Sequence, residues 1–294
     1  MKYAENILGT IGNTPLVELS RLNPNPNVKI FGKLEGNNPG GSVKDRAAKN
    51  MIEGAIQRGE LKAGMKLIEA TSGNTGIALA MIARLYDIEI ELAMPANSTR
   101  ERVLTMEAFG ATVTLTESIE SARDYAVEKA ASGEFFMLNQ FENPDNYLAH
   151  YKTTGPEIYR DTKGAVTHFV SSMGTTGTIM GTSMYLKEQN PAIQIVGCQP
   201  TDGSKIPGIR RWPIEYRPKI YDPSRVDRVM DISEADATAM TQALAKVEGV
   251  FGGMSSGGGV LASLRLATEL EEGVIVCIIC DRGDRYLSSG LFGE

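Results

Sequence analysis

Short apolar runs and longer stretches with apolar positions every three to four residues alternate along this chain. From residue 66 the rhythm is regular: 66–70, 88–94 and 111–115 read as strands, while 76–86, 99–109 and 118–131 read as amphipathic helices. Two earlier runs, 16–19 and 28–34, have strand character. A second series follows the polar stretch Asn143-Pro144-Asp145-Asn146, with strands at 168–171, 193–199 and 274–280 and helices at 178–188, 234–247 and 259–270. Strands and helices alternating at this spacing predict an α/β fold, with parallel sheets covered by helices on both faces. At 294 residues the chain exceeds one mid-sized core, so two α/β units with a cleft between them are expected. The proline-rich residues 207–223 read as a surface excursion near that cleft rather than a linker.

Composition narrows the choice of partners. Hydrophobic residues make up 42% and charged residues 22%, the balance of a globular protein. The net charge is −6 and the basic residues are dispersed, which argues against nucleic acid or an anionic membrane surface. The N-terminal residues lack the apolar core of a signal peptide, and no apolar run approaches spanning length, so a cytoplasmic location is expected. Cys198, Cys277 and Cys280 are too few and odd in number for a disulfide framework. The Cys277-x-x-Cys280 pair falls in a strand, without the helix start of a redox motif or the second pair of a zinc site. His150 and His168 have neither metal-ligand nor triad spacing, so no metal is implied.

The most unusual basic residue is Lys44, in Gly40-Gly41-Ser42-Val43-Lys44-Asp45-Arg46 ahead of the helical stretch 47–57. Ser42 suits an N-cap and Asp45 the acidic end of a capping box, which would place Lys44 second in the helix. A cation there opposes the helix dipole at a cost of about 0.3–1 kcal/mol. It reads either as a solvated lysine or as an amine kept for covalent work on a carbonyl.

Three polar, glycine-rich clusters follow strand ends, where ligands bind in open α/β sheets. Thr71-Ser72-Gly73-Asn74-Thr75-Gly76 converges hydroxyls and backbone N–H groups in a way that suits a carboxylate. Ser171-Ser172-Met173-Gly174-Thr175-Thr176-Gly177-Thr178 suits a phosphate, and lacking both a P-loop lysine and G-x-G-x-x-G it would hold a monophosphate. Gly252-Gly253-Met254-Ser255-Ser256-Gly257-Gly258-Gly259 reads either as a flexible loop or as the place of a hydroxyl that bonds a ring nitrogen. A reactive lysine, a monophosphate cradle and a separate carboxylate loop together suggest pyridoxal 5'-phosphate and an amino-acid substrate.

With Ile11-Gly12-Asn13-Thr14-Pro15-Leu16, Lys33-Leu34-Glu35 and Gln140-Phe141-Glu142-Asn143-Pro144 in the same order, the chain resembles the fold type II pyridoxal-phosphate enzymes. Within these it resembles the O-acetylserine sulfhydrylases, or cysteine synthases, from residue 11 to the C-terminus. The resemblance implies a tryptophan synthase β-like fold of two three-layer α/β/α domains, with the cofactor in the cleft between them. Residues 36–145 would form a smaller, mobile domain carrying the carboxylate loop, and 1–35 with 146–294 a larger one carrying the phosphate loop. Lys44 would hold the cofactor as a Schiff base and act as general base. Gly174, Thr175, Thr176, Gly177 and Thr178 would bind the phosphate, Asn74 the ring's 3′-oxygen, and Ser255 the ring nitrogen. Thr71, Ser72, Thr75 and Gln140 would take the substrate carboxylate. A serine at the ring nitrogen makes the ring a weaker electron sink than an aspartate would, which suits β-elimination.

The implied reaction is β-replacement on O-acetyl-L-serine. Sulfide or thiosulfate displaces acetate, giving L-cysteine or S-sulfo-L-cysteine, and the family implies a homodimer. Gly208-Ile209-Arg210-Arg211-Trp212-Pro213 and Cys280-Asp281-Arg282-Gly283-Asp284-Arg285 resemble the B branch, which accepts thiosulfate as well as sulfide. Arg210 and Arg211 would suit that dianion and Cys280 would lie by the cofactor. Tyr147 stands where related sequences often carry proline. A serine or threonine dehydratase of the same fold, a non-catalytic cofactor-fold binding protein and a cystathionine β-synthase are the alternatives. The first is disfavoured by Arg210, Arg211 and Cys280, the second by an intact Lys44, and the third by the lack of room for extra haem or regulatory segments.

Overall fold

The computed structural model describes residues 3–71 and 73–293. Its strands are β1 (Leu16–Glu18), β2 (Val28–Leu34), β3 (Lys66–Ala70), β4 (Ile90–Pro95), β5 (Thr112–Thr116), β6 (Phe135–Met137), β7 (His168–Ser172), β8 (Gln194–Pro200), β9 (Arg228–Ile232) and β10 (Gly273–Ile279). Its α-helices are α1 (Lys44–Gln57), α2 (Asn74–Leu85), α3 (Arg100–Ala108), α4 (Ile119–Ala131), α5 (Pro144–Lys152), α6 (Thr154–Asp161), α7 (Gly177–Gln189), α8 (Glu234–Ala243) and α9 (Met254–Ala267).

They build two sheets. A four-stranded sheet runs in the order β5-β4-β3-β6 and a six-stranded one in the order β1-β2-β10-β7-β8-β9. Every pairing is parallel except β1 against β2. Parallel strands are buried on both faces, and the period-two alternation of side chains decides which helix each residue meets. In β3, Leu67 packs into one cluster with α1 and α2, and Ile68 into another with α4. In β10, Ile275 and Cys277 join α9, while Val276 and Ile278 join α7. Each sheet is thus the middle of three layers.

α5 lies between the two units, packed on α1 and on α7. The approach is close: a Cβ on Gly181 would collide with the backbone of Tyr147 and Tyr151. Tyr147 lies within α5 as ordinary helix.

Buried charge ties the units across the same seam. Arg46 on α1 pairs with Glu35 at 2.7 Å and with Glu157 on α6 at 2.7 Å, and Lys33 of β2 reaches Glu157 at 2.8 Å. Burial would raise the Glu157 carboxyl, but the Arg46 guanidinium and Lys33 outweigh it and hold its pKa at about 2.

Several expectations shift. Of the two readings of 252–259, the flexible loop does not hold: α9 starts at Met254, ahead of the expected 259, and Ser255 sits in its first turn. The expected helix 234–247 gives way after Ala243 to a wider turn, Leu244–Glu248. β6, α5, α6 and β9 are elements the sequence pattern missed. Among the described residues no helix is long and apolar enough to cross a membrane.

Candidate active site

The carboxyl ends of β3, β7 and β10 open onto one cleft between the sheets. Lys44, Thr71, Asn74, Thr75, Gln140, Gly174, Thr175, Thr178, Arg210, Ser255 and Cys280 all line it. Ser72 lies outside the described residues.

Lys44 is the first residue of α1, one position earlier than the capping box would place it. That box does not form. Val43, with helical backbone, precedes Lys44, the Ser42 hydroxyl accepts the Lys44 N–H at 3.2 Å, and the Asp45 carboxylate turns back to the Gly40 N–H at 2.5 Å. Burial pushes Asp45 up to about 7. The Val43 N–H donates to the Cys280 carbonyl at 2.8 Å, which pins the start of α1 against the end of β10. Burial lowers the Lys44 pKa, against the pull of Cys280 and Asp281. Burial also raises the Cys280 thiol to about 11, so Cys280 is a neutral thiol there.

The loop after β7 is compressed. Thr176, at φ +71°, is the residue before α7. A Cβ on Gly174 would meet the Gly208 carbonyl, and one on Gly177 would meet the Asn146 amide oxygen. Gly174 and Thr175 line the cleft with Thr178; Gly177 does not, and Thr176 lines a neighbouring cavity with Arg210, Trp212 and Arg217. From behind, Asn146 donates to Thr175 Oγ1 at 3.1 Å, and Trp212 Nε1 donates to the Gly174 carbonyl at 2.7 Å. His150 lies against Thr178, 3.3 Å from Nε2 to Oγ1, and against Thr154 through Nδ1 at 2.9 Å. Burial, followed by the Arg46 charge, lowers its pKa to about 3, so it is neutral.

On the opposite side Thr71 Oγ1 accepts from the Gly73 and Gly76 N–H groups at 3.1 and 3.2 Å, which shapes the turn into α2. Thr75 Oγ1 donates to Gln140 Oε1 at 2.9 Å, and Gln140 Nε2 donates to the Ala70 carbonyl at 3.2 Å. Asn74 donates to Asp281 Oδ2 at 2.7 Å and accepts from Arg285, so one amide proton is left for a ligand.

The two adjacent arginines part company. Arg210 lines the cleft, but Arg211 turns away from it to Asp231, to Asp202 at 3.2 Å and to the Pro200 carbonyl at 2.9 Å. The expectation that both face the dianion is corrected for Arg211. The sequence reading also missed Asn146, Asp281 and Glu69, which do not line the cleft but bond to residues that do. Asn146 and Asp281 stand inside quoted motifs, and Glu69 lies two residues before Thr71.

An amine facing a phosphate-sized cradle whose glycines have no room for a side chain, with a hydroxyl-amide clamp opposite, fits a phosphorylated carbonyl cofactor and an amino acid. Comparison with known proteins gives the same class: residues 7–281 match the family described as pyridoxal-phosphate dependent enzyme, and the chain belongs to it. The chain is 59% identical over 289 residues to cysteine synthase B of Pseudomonas aeruginosa, covering 97% of each chain. Its fold superposes on the cysteine synthase of Entamoeba histolytica with a TM-score of 0.93 and 40% identity, covering 99% of this chain and 91% of that one. It also superposes on an O-acetylserine dependent cystathionine beta-synthase from Helicobacter pylori, with a TM-score of 0.91 and 36% identity, over 99% and 100% of the two chains. The architecture is therefore fold type II, with pyridoxal phosphate as cofactor. Lack of room for extra segments no longer counts against cystathionine synthesis, because that Helicobacter chain is matched over its full length.

Proposed function

We propose that this protein makes L-cysteine or S-sulfo-L-cysteine from O-acetyl-L-serine and sulfide or thiosulfate, releasing acetate. The observation that carries the reading is the convergence of Lys44, the Gly174–Thr178 turn and the Thr71–Gln140 clamp on one cleft. Pyridoxal phosphate, when bound, supplies an electrophilic carbon for the substrate amine and a ring that acidifies the substrate's α-carbon.

The chain's own residues do the rest. Gly174, Thr175 and Thr178 would hold the phosphate, with Thr176 and Gly177 shaping the turn, and Ser255 would serve the ring nitrogen. The remaining amide proton of Asn74 would be available to the ring oxygen. Thr71, Thr75 and Gln140, with Ser72 between them in sequence, hold the substrate carboxylate and so orient the α-C–H toward Lys44. The lowered Lys44 pKa favours the neutral amine, whose Nζ takes that proton as general base. The unit 36–145 moves against 1–35 and 146–294, and its closure over the carboxylate excludes water. Arg210 receives the anionic sulfur donor. The enzyme acts as a homodimer in the cytoplasm.

Assaying the holoenzyme for acetate release together with S-sulfocysteine or cysteine tests this. Release of pyruvate and ammonia instead would establish the dehydratase. A second acceptor, L-homocysteine, belongs in the same assay because of the Helicobacter neighbour.

A further inference from the structure

Glu69 is the last residue but one of β3, fully enclosed, and outside every role assigned above. Its carboxylate accepts two successive backbone N–H groups from another strand end: Asn139 to Oε2 at 3.0 Å and Gln140 to Oε1 at 3.1 Å. Asn139 needs such a hold, because it sits at φ +54° in the left-handed region. Beyond it, Gln140 presents Oε1 to Thr75 and Nε2 to the Ala70 carbonyl, the residue that follows Glu69. One carboxylate thereby joins both arms that form the amino-acid clamp, the arm entering Thr71 from β3 and the arm carrying Gln140.

We propose that Glu69 is a positioning residue for recognition of the substrate's α-carboxylate. It fixes the Asn139–Gln140 turn so that the Gln140 amide and the Thr75 hydroxyl stand at carboxylate spacing. The proposal rests on the assignment of Gln140 and Thr75 to the substrate carboxylate. Burial pushes the Glu69 carboxyl up to about 7, and charged or neutral it is a stiff brace, because either N–H left without its acceptor would carry the full desolvation penalty. Glu69 itself does not line the cleft, so it acts only through the arms it joins. Its loss therefore falls on ligands that carry a carboxylate and spares those that do not.

The test compares two amines added to the pyridoxal-loaded protein, L-serine and ethanolamine, which differ by the carboxylate. Binding is read from the shift in the cofactor's visible band. Glu69→Gln keeps the shape but offers one acceptor oxygen for two N–H groups, and should weaken L-serine about tenfold, the scale of one lost buried hydrogen bond. Ethanolamine binding should not change. Glu69→Asp, one methylene shorter, guards against a folding failure of the first variant and should weaken L-serine further with ethanolamine again unaffected. Equal losses for the two amines, or no loss for either, would overturn the proposal. Gln140→Ala separates the two levels. If it weakens L-serine and the Glu69 variants do not, the brace is wrong; if Gln140→Ala has no effect, the clamp assignment fails and the brace with it.

Discussion

The side-chain amide of Asn146 donates to Thr175 Oγ1 at 3.1 Å, joining α5 to the turn proposed to hold the cofactor phosphate. The same nitrogen donates to the Gln140 carbonyl at 2.7 Å. A single buried amide thus links the phosphate side of the cleft to the carboxylate side. Asn146→Ala should weaken pyridoxal phosphate retention and raise the KM for O-acetylserine together. Each effect should be worth about 1–2 kcal/mol, the range for buried hydrogen bonds. Cofactor titration and steady-state kinetics of the variant check this.

Lys44→Ala should abolish turnover, while phosphate-mediated cofactor binding persists through the Gly174–Thr178 turn. The amine is proposed both to hold the cofactor and to take the α-proton. Equilibrium dialysis with the cofactor, alongside the acetate-release assay, separates the two.

The arginines should differ. Arg210→Ala should reduce use of thiosulfate more than use of sulfide, since only the former carries oxygens for a guanidinium fork. Arg211→Ala should leave the ratio of the two donors unchanged, because its side chain is occupied by Asp202 and Asp231 outside the cleft. Comparing kcat/KM for both donors in both variants decides the matter.

The ion pairs across the seam predict an acid-sensitive fold. Glu157 has a folded pKa of about 2, depressed below the ordinary 4.5 despite burial because of Arg46 and Lys33. A depressed carboxyl contributes stability that is full above its unfolded value and fades as pH falls from 4.5 toward 2. Denaturant unfolding followed over that interval should show the decline. Arg46→Met leaves Glu35 buried without its ion-pair partner and Glu157 with Lys33 alone, and should cost about 3–5 kcal/mol.

The parts legible in sequence were those where local pattern and burial agree. β10 is an apolar run ending at a polar turn. Legibility failed where tertiary contact overrides composition. α5 and α6 are rich in buried polar residues: Asn146 and Glu157 bond across the seam between the units, to Gln140 and Arg46, and His150 bonds Thr154 and Thr178. α9 begins among glycines, poor helix formers. Its Gly257 is needed small, because a Cβ there would strike Thr241 and the Ala237 carbonyl of α8. β9 is an edge strand with exposed Arg228 and Asp231, so its apolar signal is thin. Arg211 failed for a geometric reason: neighbouring side chains in a non-helical stretch diverge, so adjacency in sequence could not bring both arginines to one cleft. Glu69 and Asn146 act by holding backbone groups and neighbours, and such roles leave no motif of their own.

The visible absorbance of the protein loaded with pyridoxal phosphate is the measurement to make first, recorded alone, after O-acetylserine, and again after a sulfur donor. A band that moves to longer wavelength with O-acetylserine and returns when sulfide or thiosulfate is added is the expected result, with the returning donor naming the second substrate. A cofactor band that O-acetylserine leaves unmoved would contradict a cleft built by Lys44, Gln140 and Thr75 for β-replacement on an amino acid.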